Sequence, residues 1–383
     1  RGYQFKQVCY CGDSLFKTNF DSCSKCSIEG ECFSCTKCNY GLCHSCIPGS
    51  NPKPIIPDQE SSNSQNQSSK NNKDNIVNMI DKGRKNTAGI VIASKDGSII
   101  YGNAYFEQSM KSLAGHTDSV NSLAQLNKDH FISGSSDKTV RIWNIQTGKA
   151  VTEYKGHTGS VNCVIKLGEL EVLSGSSDHT INQWSVLSSE CINTIRSHSG
   201  PVRCLLMLDE RTFASGSDDL TIQIHKADTT PYQLTKTLKG HTGSITGLIK
   251  LNDFSIASSS VDTTLKVWCL PDNSVLKEMK GHDNEITCLS SYDEDTMFSI
   301  DKDRKVMFWD PQRESDPCLK VMKAPGNQSP ENAMLIALDK RTLVGSVDEK
   351  VFLWELDDYF DEKVFKKVNV QKKAITSMIK ISP

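Results

Sequence analysis

The sequence lacks the features that would indicate a membrane-spanning, nucleic-acid-binding or common hydrolytic protein. No apolar run reaches the roughly 18 residues that a membrane-spanning helix needs, so we expect no membrane insertion. The 44 basic and 46 acidic residues give a formal net charge of −2, so charge provides no reason to expect nucleic acid as a partner. P-loop, GxSxG and HExxH motifs are also missing. We therefore expect a protein that is not an enzyme.

Cysteine is plentiful but unevenly distributed, and its distribution divides the chain. Nine of the 15 cysteines lie between Cys9 and Cys46, and the other six are scattered without close pairs. Between them lies PGSNPKPIIPDQESSNSQNQSSKNNKDN, which contains few large apolar residues and therefore cannot repay the entropy cost of ordering. We predict a Cys-rich module over residues 1–47, a flexible Ser/Asn/Pro-rich linker over 48–86 and a large domain over 87–383.

A unit of about forty residues recurs along the large domain. It begins at GHTDSV, GHTGSV, SHSGPV, GHTGSI and GHDNEI, whose first residues are separated by 41, 41, 43 and 41 positions. In each unit an Asp follows the His by 21 residues, and a Trp, or in one unit His225, follows six residues later. These aspartates are Asp137, Asp178, Asp219, Asp262 and Asp303. Alternating apolar residues bounded by Gly, Ser, Asp and Asn predict strands joined by turns.

This repeat resembles the WD40 family, and the resemblance implies an all-β, seven-bladed propeller with four strands per blade. A sixth unit ends at Trp354, and we expect the seventh blade to be split between the two ends of the domain. IVIASKDGSIIYGNA supplies its middle strands, and KAITSMIKIS, from residue 373 to 382, supplies its innermost strand. The ring is thereby closed by strands from both ends. Because this blade lacks the Trp and the His, we expect packing and ladder hydrogen bonds alone to hold the closure.

The resemblance also implies a buried hydrogen-bond chain in each complete repeat, in which the Trp N–H meets a Ser and the His bridges that Ser to the Asp. We assign the Ser four residues before the Asp, which gives Ser133, Ser174, Ser215, Ser258 and Ser299. The two blades that lack the His have Val344 and Ile92 at this position. Since the set recurs in every complete repeat, we interpret it as structural and not catalytic.

Members of this family bind other macromolecules through the face around the central channel, so we expect proteins or peptides as partners. The resemblance places one candidate contact at the start of each inner strand and another beside a turn Asp. These partner-binding candidates are Asn121, Asn162, Arg203, Thr246, Thr287, Asn332, Thr376 and Lys302. Arg203 and Lys302 are the first to test, because they are the charged members. The oligomeric state is not predicted.

The clustered cysteines carry metal-ligand spacing. They are Cys9, Cys11, Cys23, Cys26, Cys32, Cys35, Cys38, Cys43 and Cys46, mostly in C-x2-C pairs. Propellers of this type are mostly intracellular, where disulfides are disfavoured, so we predict two structural zinc ions with one cysteine to spare. His44 is a further candidate ligand, and disulfides of an extracellular Cys-rich repeat remain the alternative. CTKCNYGLCHSC resembles ZZ-type fingers and the wider pattern resembles RING-like cross-braced fingers, but each match is partial.

Two functions follow from this organisation. The first is an interaction scaffold, in which the propeller and the zinc finger each dock a macromolecular partner. The alternative is a ubiquitin ligase, in which a RING-like finger recruits the conjugating enzyme and the propeller selects the substrate. The expected location is the cytoplasm, with the nucleus as the second compartment.

Overall fold

The structure of the protein is a computed structural model that divides the chain into two compact units, Arg1–Thr87 and Ala88–Pro383. It describes residues 89–106, 110–227, 232–293, 295–324, 333–339, 341–356, 362–370 and 373–382, with backbone alone for 333 and 362–366. In the first unit it describes the backbone of 16–20, 30–35 and 40–43. No helix in these ranges is long and apolar enough to cross a membrane.

The first unit contains a three-stranded antiparallel sheet in the order β1-β2-β3. Its strands are β1 (Phe16–Phe20), β2 (Gly30–Cys35) and β3 (Tyr40–Cys43). The register of β2 and β3 places Cys32 directly opposite Cys43. The other predicted zinc ligands, apart from Cys35 at the end of β2, lie outside the described residues.

The second unit is a ring of seven four-stranded antiparallel sheets, which confirms the predicted propeller. We number the blades from the first complete repeat. Blade 1 contains β7 (Val120–Gln125), β8 (His130–Ser135), β9 (Thr139–Asn144) and β10 (Ala150–Lys155); blade 2 contains β11 (Val161–Leu167), β12 (Glu171–Ser176), β13 (Ile181–Ser185) and β14 (Cys191–Ile195). Blade 3 contains β15 (Val202–Met207), β16 (Thr212–Ser217), β17 (Thr221–Lys226) and β18 (Gln233–Lys239).

The remaining blades follow in chain order until the last. Blade 4 contains β19 (Ile245–Asn252), β20 (Ser255–Ser260), β21 (Leu265–Cys269) and β22 (Val275–Met279); blade 5 contains β23 (Ile286–Ser291), β24 (Met297–Asp301), β25 (Lys305–Trp309) and β26 (Cys318–Lys323). Blade 6 contains β27 (Ala333–Asp339), β28 (Thr342–Val347), β29 (Lys350–Leu356) and β30 (Glu362–Asn369). Blade 7 contains β31 (Ile375–Ile381), β4 (Gly89–Ser94), β5 (Ile99–Asn103) and β6 (Lys111–Leu113).

Burial changes from strand to strand within each blade. Second strands such as β20 are buried along their whole length, because a blade is covered by a neighbour on both faces. Fourth strands such as β10 are mostly exposed and carry charged residues. In blades 1 to 6 the fourth strand also has a register shift opposite the Trp position, as between Ala150 and Thr152 in blade 1. Such bulges bend a strand and interrupt its ladder.

Strands from both ends of the domain close the ring, as predicted. β31 pairs with β4, from Ile375 opposite Ser94 to Ile381 opposite Gly89, and lies beside the inner strand of blade 1. The expectation that packing and ladder hydrogen bonds alone hold this closure is wrong. The buried hydroxyl of Ser377 accepts the Leu123 backbone N–H at 3.1 Å, and the Thr376 hydroxyl donates to the Val120 carbonyl. Side-chain hydrogen bonds therefore join blade 7 to blade 1.

Candidate docking face and the network beneath it

The top face of the propeller consists of the turns between second and third strands and of the loops that lead into the inner strands. In blades 1 to 5 each turn donates a backbone hydrogen bond to the adjacent loop, as from Ser136 N to Ser119 O at 2.7 Å in blade 1. These loops are therefore fixed to one another at the backbone before any side chain is considered.

A buried side-chain network fixes the same turns, and the predicted serines belong to it. In blade 1, His116 Nδ1 lies 2.7 Å from Asp137 and its Nε2 lies 2.6 Å from Ser133 Oγ. Trp143 Nε1 donates to the same Oγ at 2.7 Å. Blades 2 and 4 repeat this arrangement. All four groups are satisfied when a neutral imidazole donates to the carboxylate and accepts from the hydroxyl.

The electrostatics of the network favour this neutral imidazole and an ionised carboxyl. Burial lowers the pKa of His241, although the nearby Asp262 opposes that change. Burial would raise the pKa of Asp262, but hydrogen bonds, chiefly from Thr264 and the adjacent backbone and also from His241, lower it to about 2. The polar groups of the network therefore hydrogen-bond to one another, and the role of the network is to hold the turns.

In blade 5 the sequence-based assignment of Asp303 to this network is wrong. His282 Nδ1 lies 2.8 Å from Asp301, which is fully buried, whereas Asp303 is exposed. Asp301 occupies the position that serines such as Ser135 hold in other blades, and it also accepts the Asp303 backbone N–H at 2.9 Å. One carboxylate thus does the work of the usual Ser and Asp together. The sequence signal for this exchange was Asp301 itself, since the other complete repeats have Ser at the equivalent position.

Blades 3 and 6 also depart from the pattern. In blade 3 His225 replaces the Trp, stacks on Phe213 with ring centroids 5.0 Å apart, and lies 3.3 Å from Ser215 Oγ. In blade 6, where Val344 replaces the Ser, the buried Nε1 of Trp354 has no partner. The loss of the hydrogen-bond acceptor there agrees with the assignment of that Ser.

The predicted partner-binding positions mostly serve the propeller itself. Asn121 donates to the Val161 carbonyl of the next blade at 2.9 Å, and Asn162 donates to Val202 O at 2.9 Å. Thr376 makes the corresponding bond across the closure. Thr246 and Thr287 bond within their own blades, to Ser259 and Ile300. Asn332 lies outside the described residues.

Two exposed ion pairs distinguish the rest of the face. In blade 3, Arg203 contacts Asp218 through two nitrogens at 2.9 and 2.5 Å. Burial opposes ionisation of Asp218, but the hydrogen bonds and charge of Arg203 hold the pKa of this carboxyl below its usual value. In blade 5, Lys302 pairs with Glu285 in the opposite polarity. Both cations were predicted from the sequence as candidate contacts, but their pairing with Asp218 and Glu285 was not.

Comparisons with known proteins agree with this geometry. The family model described as "WD domain, G-beta repeat" matches residues 107–144, 148–185, 189–226, 232–269 and 273–310. Each segment spans the fourth strand of one blade and the first three strands of the next, and together the segments contain the first three strands of blades 1 to 5. The protein therefore contains WD40 repeats within a seven-bladed propeller. Blade 6 and the first three strands of blade 7 lie outside the matched segments, and both blades lack the complete network.

Solved structures share the fold. One is the computationally designed Ika8 protein, with 24% identity over 74% of this chain and 85% of that chain and a TM-score of 0.58. Another is the WD40 beta propeller domain of Doa1, with 19% identity over 68% of this chain and 86% of that chain and a TM-score of 0.58. No curated protein sequence matches this chain. At these identities the likeness concerns the fold alone.

The exchange in blade 5 predicts unequal effects for two neighbouring aspartates. Asp301→Asn weakens a buried acceptor that serves His282 and two backbone N–H groups, and should lower the free energy of unfolding by about 1–3 kcal/mol. Asp303→Asn changes an exposed side chain and should alter it by at most about 0.5 kcal/mol. Urea denaturation of both variants measures the difference. Equal losses, or a larger loss for Asp303→Asn, would contradict the assignment.

Blade 3 predicts a coupled pair. In blades 1 and 2 a Cβ on Gly115 or Gly156 would lie 2.8 or 3.0 Å from the Trp ring, so the Trp requires glycine there. Blade 3 has Ser197 at this position together with the smaller His225. His225→Trp alone should therefore cost about 1–3 kcal/mol by overpacking, and adding Ser197→Gly should recover most of it. If His225→Trp is equally stable with and without Ser197→Gly, the two positions are not coupled.

The same pair has a pH signature. Burial, with a smaller contribution from His198, lowers the pKa of His225 to about 4. The unfolded chain, whose His titrates near 6.5, then binds more protons than the folded chain between about pH 6.5 and 4, so this contribution to stability is lost as the pH falls through that window. The Ser197→Gly/His225→Trp double variant should show a shallower loss over the same window.

Proposed function

We propose that this protein is a non-enzymatic interaction scaffold whose propeller docks another protein through the top face. The supporting observation is the contrast between rigid turns and exposed charge. Buried networks fix the turns, while the Arg203 and Lys302 side chains remain 45% and 44% exposed on that face. A rigid surface lowers the entropy cost of binding, and an arginine at such a position is a typical contact of high energy.

The charge arrangement indicates the kind of surface that fits this face. Blade 3 presents a cation, Arg203, on its inner strand and an anion, Asp218, at its turn. Blade 5 presents an anion, Glu285, in the loop before its inner strand and a cation, Lys302, at its turn. A partner with alternating acidic and basic side chains would complement both ion pairs. A uniformly charged polymer would be repelled by the residue of like charge in each pair. The mixed charge of the face therefore suits a protein partner, as does the near-neutral net charge of the chain.

The docking face predicts a selective loss of partners. Arg203→Ala/Lys302→Ala should weaken a top-face partner at least about tenfold, because it removes two cations that the partner would contact. Lys155→Ala/Lys280→Ala is the matched control, since both lysines are exposed, one at the end of a fourth strand and the other directly after one, and the charge change is the same. Affinity purification with quantitative mass spectrometry compares the two. A partner set that is equally retained by both double variants would overturn the proposal.

We also propose that residues 1–47 form a zinc-binding module that docks a second partner. The donor set supports it, because nine thiols in mostly C-x2-C pairs suit tetrahedral zinc. The backbone register of β2 and β3 brings two of these residues, Cys32 and Cys43, opposite one another. In the propeller, the six cysteines form no disulfide, which supports a compartment that keeps thiols reduced.

The zinc proposal predicts metal content directly. The purified full chain should contain two zinc ions, measured by inductively coupled plasma mass spectrometry, and Cys23→Ser/Cys26→Ser should lose one of them. Cys191→Ser changes an exposed propeller thiol and should lose none. Chelation should increase the number of thiols that react with a colorimetric reagent. A zinc-free chain whose N-terminal thiols react only after reduction would establish the disulfide alternative.

A further inference from the structure

Blade 3 carries a groove that neither the repeat pattern nor the docking face uses. The groove has a volume of about 530 Å³ and lies between the turn of blade 3 and its fourth strand. Residues that line it include Ser197, Asp219, Leu220, Gln223, Thr237 and Lys239.

Blades 1 and 4 fill the equivalent space with an ion pair between the third and fourth strands. In blade 1, Arg141 lies opposite Glu153 in the register and contacts it at 3.3 Å. In blade 4, Lys266 lies opposite Glu278 and pairs with it. The corresponding residues of blade 3 are Gln223 and Thr237. Both halves of the ion pair are thus replaced by shorter, uncharged side chains.

Two of the residues that line the groove each have a buried polar atom without a hydrogen-bond partner. Gln223 is only 5% exposed, and its Nε2 donates to the Ser197 carbonyl at 3.1 Å, but its Oε1 has no partner. The hydroxyl of Ser197 also has none. A buried polar atom without a hydrogen bond destabilises the folded chain, so a ligand that satisfies both atoms gains binding free energy. A primary amide carries both a donor and an acceptor, and so complements either end of the Gln223 amide and the hydroxyl together.

An apolar residue stands at the mouth of the same groove. Leu220 occupies the turn position that Lys138, His179 and Thr263 hold in other blades, with a positive φ of 70°. It is 40% exposed. A bulky apolar side chain is disfavoured at positive φ, and strain of this kind recurs at ligand-contacting positions.

We propose that this groove binds an uncharged segment of a partner protein, in which an Asn or Gln side chain hydrogen-bonds Gln223 and Ser197 and a neighbouring apolar side chain packs on Leu220. The proposal rests on the scaffold function and adds a second contact surface on blade 3. The segment is uncharged because the groove has lost both the cation and the carboxylate that the equivalent sites of blades 1 and 4 contain.

The test uses four six-residue peptides of the sequence Gly-Ser-Leu-Xaa-Ser-Gly, acetylated and closed with an N-methyl amide, so that no terminal primary amide is present. Xaa is Gln, Lys, Glu or Met. Binding to the full chain is followed by the methyl resonances of Leu220. The Gln peptide should bind on the order of tenfold more tightly than each of the others, since only it satisfies both orphaned groups. Equal shifts with all four peptides, or no shift with the Gln peptide, would overturn the proposal.

Matched variants separate binding from folding. Gln223→Met introduces the residue that blade 5 has at this position, the buried Met307, so the fold should be retained while the preference for Gln is lost. Leu220→Gly should weaken the Gln peptide and raise the melting temperature, because glycine adopts positive φ without strain. A preference for Gln that survives Gln223→Met would show that the amide binds elsewhere.

The outcome is independent of the docking-face experiment. Arg203→Ala/Lys302→Ala should bind the Gln peptide as the unaltered chain does. If the Gln peptide fails while that double variant still loses its partners, the groove proposal alone is wrong. If the peptide binds while the double variant keeps every partner, the top-face proposal alone is wrong.

Discussion

The architecture depends on the pairing of β31 with β4, which brings the end of the domain into the sheet that begins it. Seven wedge-shaped sheets around a channel are stable only as a closed circle, because each buried second strand needs a neighbour on both faces. Blade 7 has no Trp or His to lock its turn, and its seam with blade 1 depends on hydroxyl and amide side chains. The seam between the two ends of the domain is therefore joined by side-chain hydrogen bonds of the kind that join blades 1 and 2, where the Ser122 hydroxyl accepts the Val164 backbone N–H.

Within the ring, the His-Ser-Asp-Trp network shows how one physical requirement permits several residue solutions. The requirement is that every buried polar group has a partner while the turn keeps a single conformation. Blade 5 meets it with one carboxylate in place of two groups. Blade 3 meets it partly: the smaller ring of His225 replaces the Trp, and Ser197 stands where blades with a Trp need glycine. Blade 6 leaves the Trp354 nitrogen unpaired and depends on packing.

These variations explain which features could be predicted from the sequence. Repeat spacing predicted the blades, the split seventh blade and the bridging serines, because each follows from strand length and from a hydrogen bond whose partners are a fixed number of residues apart. Spacing failed at Asp303, since a count cannot tell which of two aspartates points inward. Spacing also did not reveal that Asn121 and Asn162, which were predicted as partner contacts, donate hydrogen bonds to the next blade. A contact between residues forty positions apart depends on how neighbouring blades pack against each other. The repeat pattern does not predict that packing.

The register shift in the fourth strands has a consequence beyond the single molecule. Six outward-facing sheet rims would each be able to recruit a strand from another copy and so seed fibre growth at high local concentration. A kink opposite the Trp position breaks the run of evenly spaced backbone groups, so an incoming strand would lose its alignment after a few residues. The kinks therefore oppose edge-to-edge pairing between copies of the propeller.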